Sequence, residues 1–451
     1  MPTNPRLHLK SRLDFSFILV LILFGILWLA GGASQADVAG QVIARGGAWA
    51  ILAAAILFCR TPSFQSVRAV TLFLSMAVLL VLLQLVPLPP ALWQSLPGRT
   101  LFAEAAAASG QEQPWRPWSL VPGATANAAG SLVIPVAVLV LLAGLSARAR
   151  AKLPALVLIL AIASMIAGLL QFSGGRLGNP FVNDTPGQVS GMFANRNHFA
   201  LLLAIGCVVA PVWALQDEAK WRRKGAVALG LLLLFALTIL ASGSRAGMAV
   251  GCLAIGIGLL IARKGIRHEL RHAPRWTFPA LILSVVGTII AFVLISVMAG
   301  RAESITRVIA LDVNDDMRSR SLPTVLAMLQ GYFPSGTGFG SFPQIFRVHE
   351  PFDILQYKYL NHAHNDFIEI AIDGGLPAAA LLIAALGYWL IRSIRAWRPG
   401  SELTLPRLGS AILLLVMISS LFDYPARTPI IMAIIVIAAF WLEGKSVRQE
   451  K

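Results

Sequence analysis

Charge is scarce in this chain of 451 residues: Asp, Glu, Lys and Arg make up only 13% of it, where about a quarter is usual for a soluble domain. Cysteine is scarcer still. Cys59, Cys207 and Cys252 all fall within or at the ends of apolar runs, which excludes a disulfide framework, a zinc ligand set and thiol catalysis. Gly336, Gly338 and Gly340 lack the strand–glycine–helix context of a nucleotide fold. No polar segment is long enough for a soluble appendage, and no internal repeat is visible. The Ala-rich stretch Ala103–Ala108 reads as a short loop helix.

What remains is apolar: 57% of the residues are hydrophobic. Runs of about 17–25 apolar residues mark membrane spans. They fall near 14–32, 44–59, 69–87, 129–146, 153–171, 198–215, 225–241, 246–262, 277–299, 376–392, 408–422 and 428–443. The expected fold is all-α and polytopic, one integral domain over residues 1–451 with about twelve transmembrane helices. The first run, Phe15–Ala30, is expected to be a retained span rather than a signal peptide, because further spans follow it.

The formal charge of +16 would suit a nucleic-acid binder, but its distribution argues for a membrane. With the N-terminus in the cytoplasm, alternate connections hold 24 of the 37 Lys and Arg residues and seven of the 21 acids. Positive residues concentrate on the inner side of membrane proteins, and this bias accounts for the whole basic excess. Both termini are then cytoplasmic. The long polar connections, near 88–128, 172–197 and 300–375, lie outside, the last being the main outer loop.

Within that loop, residues 321–331 read as an amphipathic helix with Pro323 in its first turn, followed by a glycine-rich turn over 334–340. Residues 366–373 form a second helical segment with Asp366, Glu369 and Asp373 on one face, broken by Gly374, Gly375 and Pro377.

The residues able to do chemistry share the outer face. His364, in His362-Ala-His-Asn-Asp366, suits a general base for a sugar hydroxyl; it is equally a loop histidine bonded to a carbonyl. His362, His364 and Asp366 could ligate a metal, but that local spacing needs an unusual backbone and no fourth ligand is evident. Arg245, in Ser242-Gly-Ser-Arg-Ala-Gly247, either snorkels to headgroups or clamps a phosphate. Arg318 and Arg320 either bind an anion or pair with Asp312, Asp315 or Asp316. Arg196, Asn197 and His198 lie where an outer loop enters the sixth span. An outer-face enzyme without a nucleotide site would draw on an activated, membrane-borne donor, and a polyprenyl-pyrophosphate glycan has that chemistry.

These motifs resemble the O-antigen ligase and polymerase family of bacterial envelope proteins, most strongly over residues 190–380. Gly191–Ala200 resembles the family's Asn-X-Asn segment, and Ser244-Arg-Ala-Gly247 its Ser-Arg-X-Gly turn. Arg318 with Gly336–Gly340 resembles its loop arginine and glycine block, and His364-Asn365 with Gly375 its histidine motif. Ala378 departs from the Gly, Thr or Tyr usual at that position.

The resemblance implies a metal- and cofactor-independent, inverting glycan transfer at the periplasmic face of the bacterial inner membrane. His364, Arg245 and Arg318 would be catalytic. Arg196, Asn197, His198, Arg320, His362, Asn365 and Gly338 would bind substrate. The implied partners are a polyprenyl-pyrophosphate glycan donor and, as acceptor, lipid A-core (a ligase) or a second lipid-linked unit (an O-antigen or exopolysaccharide polymerase). Transport of a small, bicarbonate-like anion is the remaining alternative. It predicts ionisable groups deep in the spans and broken helices near the midplane.

Overall fold

The computed structural model describes residues 14–59, 61–174, 178–183, 187–216, 221–269, 317–355, 360–399 and 403–444, with single residues at 274, 276, 283 and 287. The chain is a helical bundle. In order, its first helices are α1 (Phe15–Ala30), α2 (Ala39–Phe58), α3 (Arg68–Leu83), α4 (Pro90–Gln94), α5 (Thr100–Ala108), α6 (Pro122–Ser131) and α7 (Val133–Gly144). They are followed by α8 (Ala147–Arg150), α9 (Leu153–Phe172), α10 (Arg196–Ala214), α11 (Trp221–Ala241) and α12 (Arg245–Glu269). The last five are α13 (Met317–Tyr332), α14 (Phe342–His349), α15 (Asp366–Trp397), α16 (Thr404–Ser420) and α17 (Pro429–Glu443). The only sheet among the described residues is a two-residue antiparallel pair, β1 (Pro87–Leu88) with β2 (Arg116–Pro117).

Eight of the described helical stretches are long and apolar enough to cross a membrane, rather than the twelve expected. Three expected spans form apolar helices too short for that criterion, Phe15–Ala30, Thr404–Ser420 and Pro429–Glu443. The expected span 277–299 lies outside the described residues, as do Asp312, Asp315 and Asp316. Their runs in the sequence were themselves short, 15 residues at 408–422 and 16 at 428–443, and α1 stops before Gly31 and Gly32.

Helix α10 is the central post. Its apolar window is 89% buried, with Leu202, Ile205 and Val209 fully enclosed, as a helix hydrophobic all round requires. Helix α3 is the opposite case at 11% buried, its exposed Leu72, Leu79 and Leu82 suited to a lipid environment. The segments expected on the inner side meet at one end of the bundle. There Asp14 accepts from the Ser146 N–H, Arg150 lies over Phe440, and Glu443 accepts from the N–H groups of Ala69 and Val70.

The expected break in α15 is present. Gly375 has φ 59° and ψ −152°, inside a helix that resumes with Pro377. A broken helix leaves carbonyls without intrahelical partners, and the glycine-rich turn takes them up. Thr337 N–H donates to Ile372 O (2.9 Å), Gly338 N–H to Asp373 O (2.8 Å), and Leu376 N–H to Pro334 O (2.8 Å). Buried Gln84 joins them, donating to Asp373 O (3.0 Å) and accepting from Phe339 N–H (2.9 Å). Arg99, also buried, donates to Trp118 O (2.7 Å) and Gly336 O (3.2 Å), and burial lowers its pKa to about 10. Helix α13 begins earlier than expected, so Pro323 lies inside it rather than in its first turn.

A Cβ at Gly375 would run into Pro334 O and the backbone of Ser335 and Gly336, in a conformation open essentially to glycine alone. Gly375→Ala should therefore destabilise the protein by about 1–3 kcal/mol, read as an earlier thermal unfolding transition in detergent.

Candidate active site

Three helices begin at the end of the bundle opposite Asp14 and Glu443, each with a side-chain cap. Asn195 accepts from Asn197 N–H at the start of α10 (2.8 Å), and Ser244 from Gly247 N–H at the start of α12 (2.8 Å). Asn365 caps α15 through Phe367 N–H (3.0 Å) and Ile368 N–H (3.1 Å). Such caps hold helix N-termini in place, and each N-terminus carries the positive end of its dipole.

The short turn between α16 and α17, Phe422-Asp-Tyr-Pro-Ala-Arg427, ties these helix starts together. Buried Asp423 is the centre. Its Oδ2 accepts from Asn195 Nδ2 (2.8 Å) and Asn197 Nδ2 (2.6 Å), and lies 3.7 Å from Arg318 Nη2. Its Oδ1 lies 3.1 Å from His364 Nδ1 and 3.9 Å from His198 Nε2. Burial alone would raise the pKa of this carboxyl. The His364 hydrogen bond, with the charges of His198, His364 and Arg318, outweighs burial and holds it far below the usual carboxylate range.

The carboxylate can only accept, so in neutral His364 the Nδ1 carries the proton and Nε2 keeps a lone pair. The His364 side chain is 16% exposed. Its φ of 52° is the only positive value at a non-glycine residue among those described, a costly backbone state that is common where function fixes a side chain. Arg318 is held alongside by donation to Phe422 O (3.1 Å). Asn197 continues the network by accepting from Ser244 Oγ (2.7 Å), which fixes the turn carrying the exposed Arg245.

Tyr424 packs against three imidazoles: His362 at 4.1 Å between ring centroids, and His198 and His364 at 5.0 Å each. Burial, then the neighbouring Asp423 charge, pushes its hydroxyl well above the ordinary phenol pKa. Beyond it lies a second polar layer. Arg427 meets Asp366 (3.3 Å), Glu369 (3.2 Å) and Asp373 (3.5 Å), the three acids expected on one face of α15. Burial disfavours the guanidinium, but Glu369, Asp373 and Asp366 more than reverse that and keep it ionised. His362 Nδ1 lies 2.9 Å from Glu369, and its Nε2 lies 3.1 Å from Ser34 Oγ.

The expected residues therefore separate. His364, Arg318, Asn197 and His198 converge on Asp423, while Arg196 opens α10 and Arg245 opens α12 beside them. His198 is buried, with Nδ1 2.9 Å from Thr428 Oγ1, so it is a packing partner of the turn. Asn365 is a cap that also donates to Leu421 O (3.1 Å). Gly338 packs against Ser119 and holds the α15 break, and so lies in the scaffold. Arg320 donates to Asp353 O (2.7 Å), whereas Arg318 is the one of the two that reaches Asp423. His362, His364 and Asp366 do not converge: the two imidazoles face different carboxylates, and Asp366 faces Ser420 and Arg427. Among the described residues, no group of three or more His, Cys, Asp and Glu is arranged to hold a metal ion.

Asp423, Tyr424 and Arg427 were missed by the sequence reading. Their signal was two charges in a turn of a few residues between long apolar runs, the same kind of mark that drew attention to Arg245.

The fold and site define a polytopic helical membrane protein with a histidine–carboxylate pair beside an arginine at the gathered ends of its helices. Residues 229–383, from within α11 to beyond the break in α15, match the family model described as O-antigen ligase. The matched segment includes Arg245, Arg318, the glycine block and His364 but stops short of Asp423. None of the curated proteins compared matches the chain. The match and the membrane helices together support a glycan-transfer role of the O-antigen ligase and polymerase type.

Asp423→Asn tests the hub. A carboxyl whose folded pKa is depressed stabilises the fold above its unfolded pKa, near 3.8, and that contribution fades as pH falls towards the folded value. The variant should be less stable by about 1–3 kcal/mol at pH 7, with the gap to wild type narrowing below about pH 4 in detergent unfolding experiments.

Proposed function

We propose that the protein transfers a glycan from a polyprenyl-pyrophosphate carrier to an acceptor hydroxyl, at the periplasmic face of the bacterial inner membrane. The observation that carries this reading is the His364–Asp423 pair, with Nε2 left over for a substrate, next to Arg318. The charge bias of the connections supports the outer face.

In this mechanism Asp423 fixes the Nδ1–H tautomer and stabilises the imidazolium that forms, as the carboxylate does in other His–Asp pairs. His364 Nε2 takes the proton of the acceptor hydroxyl as its oxygen attacks the anomeric carbon. The bond from that carbon to the pyrophosphate oxygen breaks on the opposite side, so the configuration inverts. Polyprenyl pyrophosphate leaves with the electron pair. Arg318, Arg245 and the N-termini of α10 and α12 supply the positive field for the charge that develops on it. Neither a cofactor nor a metal takes part in these steps.

Ligase and polymerase share this chemistry and differ in the acceptor, lipid A-core or a second lipid-linked unit. Anion transport would draw on the interrupted helix at Gly375 and the charge of Arg45 inside α2. The glycine-rich turn takes up the backbone groups freed at that break, so they are not left to coordinate an ion.

His364→Ala, inserted normally in the membrane, should lose about 10²–10⁴ in transfer rate, and Arg318→Ala about 10²–10³. Arg320→Ala should stay close to wild type. The assay is reconstituted transfer from a polyprenyl-pyrophosphate glycan; wild-type turnover in His364→Ala would overturn the base assignment. A ladder of longer carrier-linked chains identifies a polymerase, and glycan on lipid A-core a ligase.

A further inference from the structure

Arg45 is out of place in α2. It lies nearly two turns inside an otherwise apolar helix, half-buried, with Nη1 donating to Asn127 Oδ1 (2.5 Å) and Nη2 to Ser131 Oγ (2.7 Å). Its buried Nε has no hydrogen-bond partner, and no carboxylate pairs with it among the described residues. Neutral oxygens orient a guanidinium without neutralising it. A cation inside a span is costly and is ordinarily paired, so this one is built to meet an anion that the chain does not supply.

Arg45 lines a cavity of about 700 Å³, which also reaches His362 and Arg427 but not His364. One wall carries polar and charged groups, among them Ser34, Asp37, Asn127, Gln344 and Arg347, with Asp366 and Glu369 engaged by Arg427. The other is apolar and runs between α3 and α15, with Phe73, Ala77, Leu80, Leu381, Leu382 and Ala385. Helix α3 is the least covered of the described spans, so this apolar wall adjoins the outward face that bears Leu72, Leu79 and Leu82. The cavity thus combines an uncompensated cation, a polar end and a lateral apolar groove, the complement of a phosphorylated glycolipid.

We propose that this cavity seats the acceptor as a phosphate-bearing glycolipid. Arg45 binds its phosphate, and its hydrocarbon chain lies between α3 and α15. Its sugars extend past His362 and Tyr424 towards His364. The assignment rests on the transferase reading, in which the donor pyrophosphate occupies Arg245 and Arg318. The guanidinium has five N–H donors; two are used within the protein and the Nε–H is buried, which leaves one on each Nη for the phosphate.

The test uses the full-length protein in phosphatidylcholine nanodiscs with three probes: a short polyprenyl phosphate, the uncharged polyprenol and inorganic phosphate. Polyprenyl phosphate should bind most tightly. Arg45→Ala should weaken it about tenfold or more, the scale of one lost charge-assisted hydrogen bond, and Arg45→Lys should keep most of the affinity. Leu382→Trp, which fills the groove without touching the cation, should weaken the lipid probe selectively. In transfer assays Arg45→Ala should raise the KM for acceptor and leave the KM for donor unchanged.

Binding unaffected by Arg45→Ala and Leu382→Trp overturns the proposal, as does inorganic phosphate or polyprenol binding as tightly as the phosphorylated lipid. A rise in donor KM in place of acceptor KM also overturns it. Should Arg45→Ala fail to insert, Arg45→Lys and Leu382→Trp carry the same comparison. If no donor supports transfer but binding still depends on Arg45, the transferase reading fails while the lipid site stands. If transfer proceeds and binding ignores Arg45, the outcome is the reverse.

Discussion

A single buried carboxylate organises the end of the bundle that holds the candidate site. Taking a charge out of water is costly unless it is densely hydrogen-bonded, and Asp423 meets that condition with donors from separate parts of the chain. Asn195 and Asn197 come from the start of α10, His364 from the approach to α15, and the Tyr424 N–H from its own turn (3.1 Å). Arg318 of α13 adds charge at 3.7 Å. The same contacts that make the buried charge tolerable fix the imidazole tautomer and hold an arginine beside it, so stability and pre-organisation have one source here.

Tyr424 divides two electrostatic environments that would otherwise interfere. On one side helix N-termini and Arg318 favour an anion. On the other, three buried carboxylates surround Arg427 and draw His362 towards Glu369. The two neighbouring histidines are thereby given different tasks. His362 has both ring nitrogens committed, to Glu369 and Ser34, whereas His364 has one committed and one available. The spacing to Gly375 favoured His364 in the sequence, and the partners give the physical difference between the two rings.

The helices were legible because apolar runs and caps are local. The break in α15 was legible from Gly374, Gly375 and Pro377, and the acid face of its first turns from the spacing of Asp366, Glu369 and Asp373. Asp423 was not, because its role arises from contacts with residues 59 and 226 positions away and its own neighbourhood reads as an ordinary tight turn. Gly338 and Asn365 were read as substrate-binding from their place in motifs; within the protein Gly338 meets Ser119, Ser341 and Asp373 O, and Asn365 caps α15. The family resemblance pointed to Arg318 as the loop arginine, but the residues alone left open which of Arg318 and Arg320 acts. One helical step separates a partner on the hub from a partner on Asp353.

The three short apolar helices bear on where the chemistry lies. At 1.5 Å per residue, the 16 residues of α1, 17 of α16 and 15 of α17 span about 22–26 Å, against about 30 Å of hydrocarbon. A shortfall of this kind is met by local thinning of the bilayer or by flanking residues reaching past the helix end. At the end opposite the candidate site the cations fold back on the bundle, Arg150 over Phe440, Lys152 over Phe17 and Arg392 onto the carbonyls of Leu442 and Glu443. At the other end, the turn after α16 places the short side chain of Asp423, which cannot extend and must be solvated where it stands. The bundle meets that need with protein donors in a recess, where a lower dielectric strengthens each charge–charge contact. On the proposed reading, a lipid-borne pyrophosphate would reach such a recess from the headgroup layer without lifting its chain out of the membrane.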